Sequence, residues 1–350
     1  MNWDFRDSNV RRLPSAASGA RLDSSGSGVR RVLAGLVLVI WEVGVTLGCS
    51  PRDSRRVRNV LDPVAATVYF ARESHLAFGE LGFPLPTEFD SGSLVPLNPE
   101  AYMVARAACF GDVAAGVVTA AFGVFPHAVV QKCLTRWRSR VRYQQVQRAR
   151  SDAAIAALQR QIGPASDGMK RAAELSRRAV DALSVAGKPV FAALREIPFR
   201  DEPVFDLWHA ADLYREHRGD SHVAAWTSHG LSAPQACLIN DLTQGLGLKT
   251  YVRTRGWNDT ELDAAAEDLM DRGLIVDSSL SDDGKKLRES IESATDRQQI
   301  PAVVALGDDL PELCDLVAPY RAAIVQASGY PGRSALEKLN HWQTTREGQN

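Results

Sequence analysis

The run His217-Arg218-Gly219-Asp220-Ser221-His222 places two imidazoles, a guanidinium and a carboxylate close together, and His209 lies eight residues before His217. Imidazoles titrate near neutrality and ligate metals, so this set suits acid–base chemistry or a polar binding pocket. Its spacing differs from the His-Glu-x-x-His pattern that fixes two metal-binding histidines on one helix face, so no metal is assigned. A plainer reading has Asp220 capping a helix start, Arg218 pairing with an acid and the histidines satisfying local backbone groups. Tyr69, Glu73 and Arg106 form a second polar set on otherwise apolar helices, where buried polar groups need partners. If they converge with Trp208 and His222, they form a pocket of the kind that facing helices build. The candidate ligand-binding residues are therefore Tyr69, Glu73, Arg106, Trp208, His217, Arg218, Asp220 and His222. No catalytic residue and no cofactor is assigned.

Other enzyme templates do not match. The chain has no Gly-x-Gly-x-x-Gly, no Walker loop, no Gly-x-Ser-x-Gly and no cysteine set beside a histidine at a familiar spacing. Arg218-Gly219-Asp220 also spells an integrin-binding tripeptide, which three residues at a helix boundary are too few to support. The five cysteines are odd in number and lack close pairs, which fits a reducing, cytoplasmic compartment. Lysine plus arginine total 41 against 42 aspartate plus glutamate, so no global field draws the chain to nucleic acid or anionic lipid.

The elements that must carry these groups are helical. With 350 residues and 45% hydrophobic content, the chain can bury a proper core. Helical spacing dominates from Val57, and alternating strand patterns are scarce, so the fold class is all-α with a small β wing. Residues 1–56 read as a disordered or spurious extension; within them, Arg30 and Arg31 precede an apolar run, Val32 to Gly48, that is short for a membrane span and holds Glu42. Residues 57–230 read as a helical domain, 231–300 as a winged helix-turn-helix, 301–329 as a C-terminal helix and 330–350 as a flexible tail.

Within the helical domain, Asp62-Pro63 reads as the cap of a first helix, and Tyr102 to Phe125 as a small-residue helix pair broken near Gly111. Gln131 to Arg150 is a basic helix with seven cations and the aromatics Trp137 and Tyr143, read either as a solvated face paired with acids or as a phosphate contact. Asp206 to His217 reads as a helix stopped by Gly219, with Asp220 capping the next one.

The winged-helix reading rests on Ser232 to Gln244, a short helix at Leu248 to Thr254, a turn at Gly256, and a capping box from Asn258 to Glu261 that opens a helix ending at Gly273. Leu274 to Val276, a tight turn and Leu280 then supply the wing, and Ser281 starts a long helix. The charge is wrong for DNA: Leu231 to Arg297 holds 13 acids and 8 bases, and Asp259, Glu261, Asp263, Glu267, Asp268 and Asp271 lie along the helix that would enter the groove. Arg253, Arg255, Lys285, Lys286 and Arg288 are the residues left to form a DNA contact.

At Arg218-Gly219-Asp220-Ser221-His222, Arg253-Thr254-Arg255-Gly256-Trp257, Arg272-Gly273-Leu274 and Arg288 to Arg297 the chain resembles an actinobacterial, mycobacterial-type family of uncharacterised helix-turn-helix proteins. The likeness extends upstream through Val68-Tyr69-Phe70, Arg106-Ala107-Ala108, Val117-Val118 and Ala121-Phe122, and covers about Val57 to Pro331. It implies a helical N-terminal domain joined to a winged helix in the cytosol, with no activity to carry over. The sequence departs from the pattern at Phe125-Pro126-His127 and in the extra arginines after Trp137.

Three functions are open. The first is a cytoplasmic small-molecule binder whose winged helix serves packing or partner contact. The second is a ligand-responsive DNA-binding regulator, and the third an enzyme using a His/Asp pocket. DNA is disfavoured as a partner by the acidic helix, no membrane is expected for the folded part, and a homodimer stays open.

Overall fold

Local residue choices set the helix boundaries. The computed structural model describes residues 50–331 apart from 88, 90, 91 and 93. The first helix, α1 (Pro51–Ala66), starts with a proline where no intrahelical amide is needed, and Ser50 with Asp53 forms its capping box. A short 3-10 turn, Thr67–Tyr69, leads to α2 (Arg72–Glu80). Helix α3 (Pro99–Ala107) is capped by the Asn98 side chain, and α4 (Ala115–Phe122) follows a break at Gly111, whose φ of 67° suits a residue without a Cβ. Next come α5 (His127–Arg138), α6 (Tyr143–Ile162), α7 (Asp167–Asp181) and α8 (Pro189–Arg195).

Helix α9 (Pro203–Ser228) is the longest among the described residues and is buried on nearly every side, packed against α1, α7, α8 and α12. Beyond it lie α10 (Ala233–Thr243), a 3-10 turn at Val252–Arg255, and α11 (Asp259–Asp271). Strands β1 (Ile275–Val276) and β2 (Ser279–Leu280) pair antiparallel, with Ile275 opposite Leu280. Their two-residue turn, Asp277-Ser278, has positive φ at both positions, as the commonest tight hairpin requires. Helices α12 (Asp282–Arg297), α13 (Ile300–Leu306) and α14 (Leu310–Gln326) complete the described chain.

Apolar side chains gather in two clusters. The larger runs from Val57 to Ile324 and includes Trp137, Phe191, Phe205 and Trp208, so α13 and α14 return to the core of the first helices. The smaller holds Trp226, Leu238, Val252, Leu262, Leu269, Ile275 and Ile291. The structure is thus mainly helical with one minimal sheet, as the periodicity implies.

Four local expectations are corrected. Helix α1 begins at Pro51 and runs through Pro63, so Asp62 caps nothing; its carboxylate instead accepts from Arg215 and from the Tyr330 hydroxyl. The basic block is two helices, α5 and α6, separated at residues 139–142. Gly219 does not stop α9, because burial on several sides outweighs roughly 1 kcal/mol of poor helix propensity. The C-terminal helix is divided in two at Gly307. The readings of the apolar run at 32–48 and of the tail beyond 331 fall outside the described residues, and among the described residues no single helix is long and apolar enough to cross a membrane.

Candidate functional site

Asp212, Glu216 and Asp220 recur every four residues, which aligns three carboxylates along one side of α9. Each meets a different partner. Asp212, fully buried, takes two hydrogen bonds of 2.9 Å from the Arg150 guanidinium, which also donates to the Tyr69 hydroxyl at 2.8 Å. Burial opposes the charge on Arg150, but Asp212 and Tyr69 overcome it and hold the guanidinium firmly protonated. The same guanidinium lies 4.9 Å from the centre of the Trp208 ring, and the Trp208 indole donates to the Ala65 carbonyl. One turn on, Glu216 accepts from Arg106 at 2.5 Å, and Arg106 sits over the Phe122 ring. Among the described residues Asp220 has no cation in direct contact; its Oδ2 accepts the Phe191 amide at 3.0 Å, and burial pushes its carboxyl up to about 7.

The opposite side of α9 is basic and tied to α12. Arg218 donates to Asp296 at 2.6 Å and to Glu292 at 2.7 Å, while Arg55 on α1 reaches the same Asp296 at 2.5 Å. His222 faces Thr295, its Nδ1 3.2 Å from the hydroxyl; burial lowers its pKa to about 4, against the pull of Glu292. His217 turns elsewhere, taking a 2.8 Å hydrogen bond from Gln299 at Nδ1 and packing its ring edge against Phe191; burial lowers its pKa to about 4 as well.

The predicted pocket therefore divides. Tyr69 and Trp208 do come together around Arg150, while Arg106 is paired with Glu216 one turn further along α9. Glu73 pairs with Arg160, ten residues or about 15 Å further along α6. Trp208 and His222 are 14 residues apart on one helix, about 21 Å, so they line no common pocket. His217 and His222 project about 140° apart around α9, and the two imidazoles do not converge. Arg218 is an ion-paired clamp and Asp220 is a mid-helix group, not a cap. Among the described residues no group of three or more His, Cys, Asp or Glu could hold a metal ion.

Apart from Trp208 and His209, sequence reasoning did not single out the residues around a cavity of about 240 Å³ between α3, α6 and the start of α9. Trp208, Phe205, Leu194 and Ile197 supply apolar wall; Arg148, Arg150 and Arg200 supply charge, and no carboxylate lines it. His209 lies at its edge, engaged with the Ile197 carbonyl and stacked on Phe205, with burial lowering its pKa. Cys109 also borders it, its thiol pushed by burial up to about 12 and so unreactive. A neighbouring cavity of about 350 Å³ lies beneath Trp137 and Tyr143 and shares Gln144 with the first. The signal for both was present in the basic block. Arg136 pairs with Glu100 and Arg138 with Asp112, but Arg142 and Arg148 have no carboxylate partner among the described residues.

The residues proposed for DNA are mostly engaged. Arg255 stacks over Phe125 and Tyr251 and is largely buried; next to it, Trp257 donates to the Val124 carbonyl at 3.0 Å. Arg288 is held by Glu292. Arg253, Lys285 and Lys286 are exposed but pair with Asp259, Asp282 and Asp283. Helix α11 displays its acids to solvent, anchored by the capping box read from the sequence: the Glu261 amide donates to Asn258 at 2.9 Å, and the Asn258 amide donates to Glu261 at 3.0 Å.

Within residues 233–297 the order is helix, turn, helix, hairpin and helix, which is compatible with a helix-turn-helix protein. Residues 54–331 match the model of a helix-turn-helix family, and the chain belongs to that family. No curated protein and no solved structure matches it.

Proposed function

We propose that this is a cytoplasmic, actinobacterial-type protein that binds a small molecule in its helical body, with residues 231–297 forming a winged helix-turn-helix used for packing or partner contact. One observation carries the reading: the cavity at Trp208 is lined by apolar side chains together with Arg148 and Arg200, which have no carboxylate partner among the described residues. Such a combination is the general mark of a ligand site. The test is thermal shift and native mass spectrometry of the full chain against a fragment set of neutral, cationic and anionic members. Binding should raise the melting temperature and alter a fluorescence component that Trp208→Phe removes. If no fragment of any charge stabilises the protein, the reading fails.

Family membership favours a second reading, a DNA-binding regulator. The pairing of Arg253, Lys285 and Lys286 with aspartates and the acidic face of α11 oppose it, because DNA affinity rests on cations free to neutralise phosphates. Retention of genomic fragments on the protein at low salt, released as salt rises, would establish this second reading in place of a partner-contact role.

A further inference from the structure

Arg255 carries a positive charge into the junction of the two apolar clusters with no acid to meet it. Its guanidinium lies 5.0 Å from the centre of the Phe125 ring and 4.7 Å from that of Tyr251, and it donates to the Tyr251 hydroxyl at 2.8 Å. Burial of a charge is costly unless the charge is paired, yet among the described residues no carboxylate pairs with this one. The surrounding acids are engaged elsewhere: Glu216 holds Arg106, Asp62 holds Arg215 and Asp259 holds Arg253. Asp241 turns one oxygen to the Tyr251 and Val252 amides and lies beyond ion-pair distance of Arg255. The remaining nitrogens of Arg255 make no hydrogen bond among the described residues and are not sealed from solvent. Tyr102 faces the same charge from α3: its ring lies 6.3 Å from that of Phe125, and its hydroxyl accepts from Arg106 at 3.4 Å. Burial pushes that hydroxyl up, but Arg106, Arg255 and Arg215 outweigh burial and bring it below the ordinary phenol value. Tyr69, whose neighbour Arg150 is balanced by Asp212, is shifted the other way by burial. The contrast marks an excess of positive charge around Tyr102.

We propose that a phosphate, free or as the phosphoryl group of a small molecule, binds at this junction against Arg255, with the Tyr102 and Tyr251 hydroxyls as further donors. Each hydroxyl accepts from an arginine and so keeps its own hydrogen to donate. Guanidinium N–H groups match the oxygens of a phosphate, and the charge makes each such bond stronger than a neutral one. The donors come from α3 on one side and from the turn at Val252–Arg255 on the other, which suits a tetrahedral anion better than a planar carboxylate. The site shares no residue with the lining of the Trp208 cavity and goes beyond the ligand reading given above. It lies where Phe125 of the larger cluster meets the turn that Val252 anchors in the smaller.

Titration calorimetry of the full chain at low salt tests the assignment, with inorganic phosphate, phenyl phosphate and acetate as probes. Phosphate should bind about tenfold or more tightly than acetate. Tighter binding of phenyl phosphate than of phosphate would assign the site to the phosphoryl group of a larger molecule, and equal or weaker binding to the free ion. Arg255→Gln should weaken phosphate binding about tenfold or more, the ratio that one charge-assisted hydrogen bond carries. Tyr102→Phe, which removes a single oxygen, should weaken it about threefold and decides the matter if Arg255→Gln does not fold. Arg253→Gln, in the same turn but exposed, and Trp208→Phe should leave the affinity unchanged. Absence of phosphate binding, acetate binding as tightly as phosphate, or an unchanged affinity in the deciding variant would overturn the proposal. So would equal weakening by Arg253→Gln, which would reveal diffuse charge attraction, and so would displacement of phenyl phosphate by a short DNA duplex. Each of these results leaves the Trp208 cavity to its own fragment screen.

Discussion

Removing Asp212 should destabilise the protein far more than removing Asp212 and Arg150 together. The wild-type pair is buried and joined by two hydrogen bonds of 2.9 Å, and among the described residues the guanidinium donates one further hydrogen bond, to the Tyr69 hydroxyl. Asp212→Ala leaves a guanidinium held inside the core with one hydroxyl for company, a change that costs about 3–5 kcal/mol. That is a large part of the roughly 5–15 kcal/mol by which domains are stable. Asp212→Leu with Arg150→Met removes both charges and keeps the volume, and such exchanges are often neutral. The Tyr69 hydroxyl then lacks its partner, a loss of about 1 kcal/mol. The measurement is urea unfolding followed by far-ultraviolet circular dichroism. With a slope of about 3 kcal/mol per molar, the single variant should unfold about 1–1.7 M urea earlier and the double variant within about 0.5 M of wild type. A single variant within about 1 kcal/mol of wild type would refute the claim of a buried charge, as would a double variant that loses as much as the single.

Asp220 predicts a pH dependence of known sign. Its folded pKa is raised from 3.8 to about 7, so its contribution to stability is full below about pH 4 and is lost as pH rises through 7, by up to about 4 kcal/mol. Asp220→Asn should therefore gain stability relative to wild type between pH 5 and pH 8 in parallel thermal melts; a flat difference would show that the carboxyl is not shifted. Gly284→Ala would set a Cβ 2.2 Å from the Leu274 carbonyl oxygen, which also accepts the Ser281 amide that closes the hairpin. A loss of about 1–3 kcal/mol is expected in urea unfolding, and an unchanged midpoint would mean that the hairpin does not pack on α12 as described. Asn258→Ala should lower stability by about 1 kcal/mol through the lost cap, and faster amide exchange confined to the first turn of α11 would locate the effect.

The sequence was most readable where structure is decided by neighbours in the chain. Asn258 and Glu261 bond to each other's backbone, Gly256 turns at a φ of 90°, and the hairpin forms at Asp277-Ser278, each fixed within a few residues. It was least readable where distant packing overrides local preference. Gly219 and Asp220 carry the chemistry of a helix break, yet α9 continues because α1, α7, α8 and α12 surround it. The candidate site was half visible: Tyr69, Arg106 and Trp208 stood out as polar or aromatic groups on buried helices. The residue that gathers Tyr69 and Trp208, Arg150, was hidden in a row of arginines whose other members face solvent or surface acids, and only the fold distinguishes a buried arginine from an exposed one. The spacing of Asp212, Glu216 and Asp220 on one helix side was a signal that could have singled out their partners.

The persistence of α9 through Gly219 has a mechanical consequence. Trp208 belongs to the larger apolar cluster and Trp226 to the smaller, and 18 residues of unbroken helix, about 27 Å, connect them. A helix resists stretching and twisting, so the two ends move as one axle. An axial displacement at Trp208 would therefore be felt at Trp226, which packs in the cluster that holds Leu262 and Leu269 of the acidic helix. Any coupling between the two cores would run along this rod, with no hinge between them.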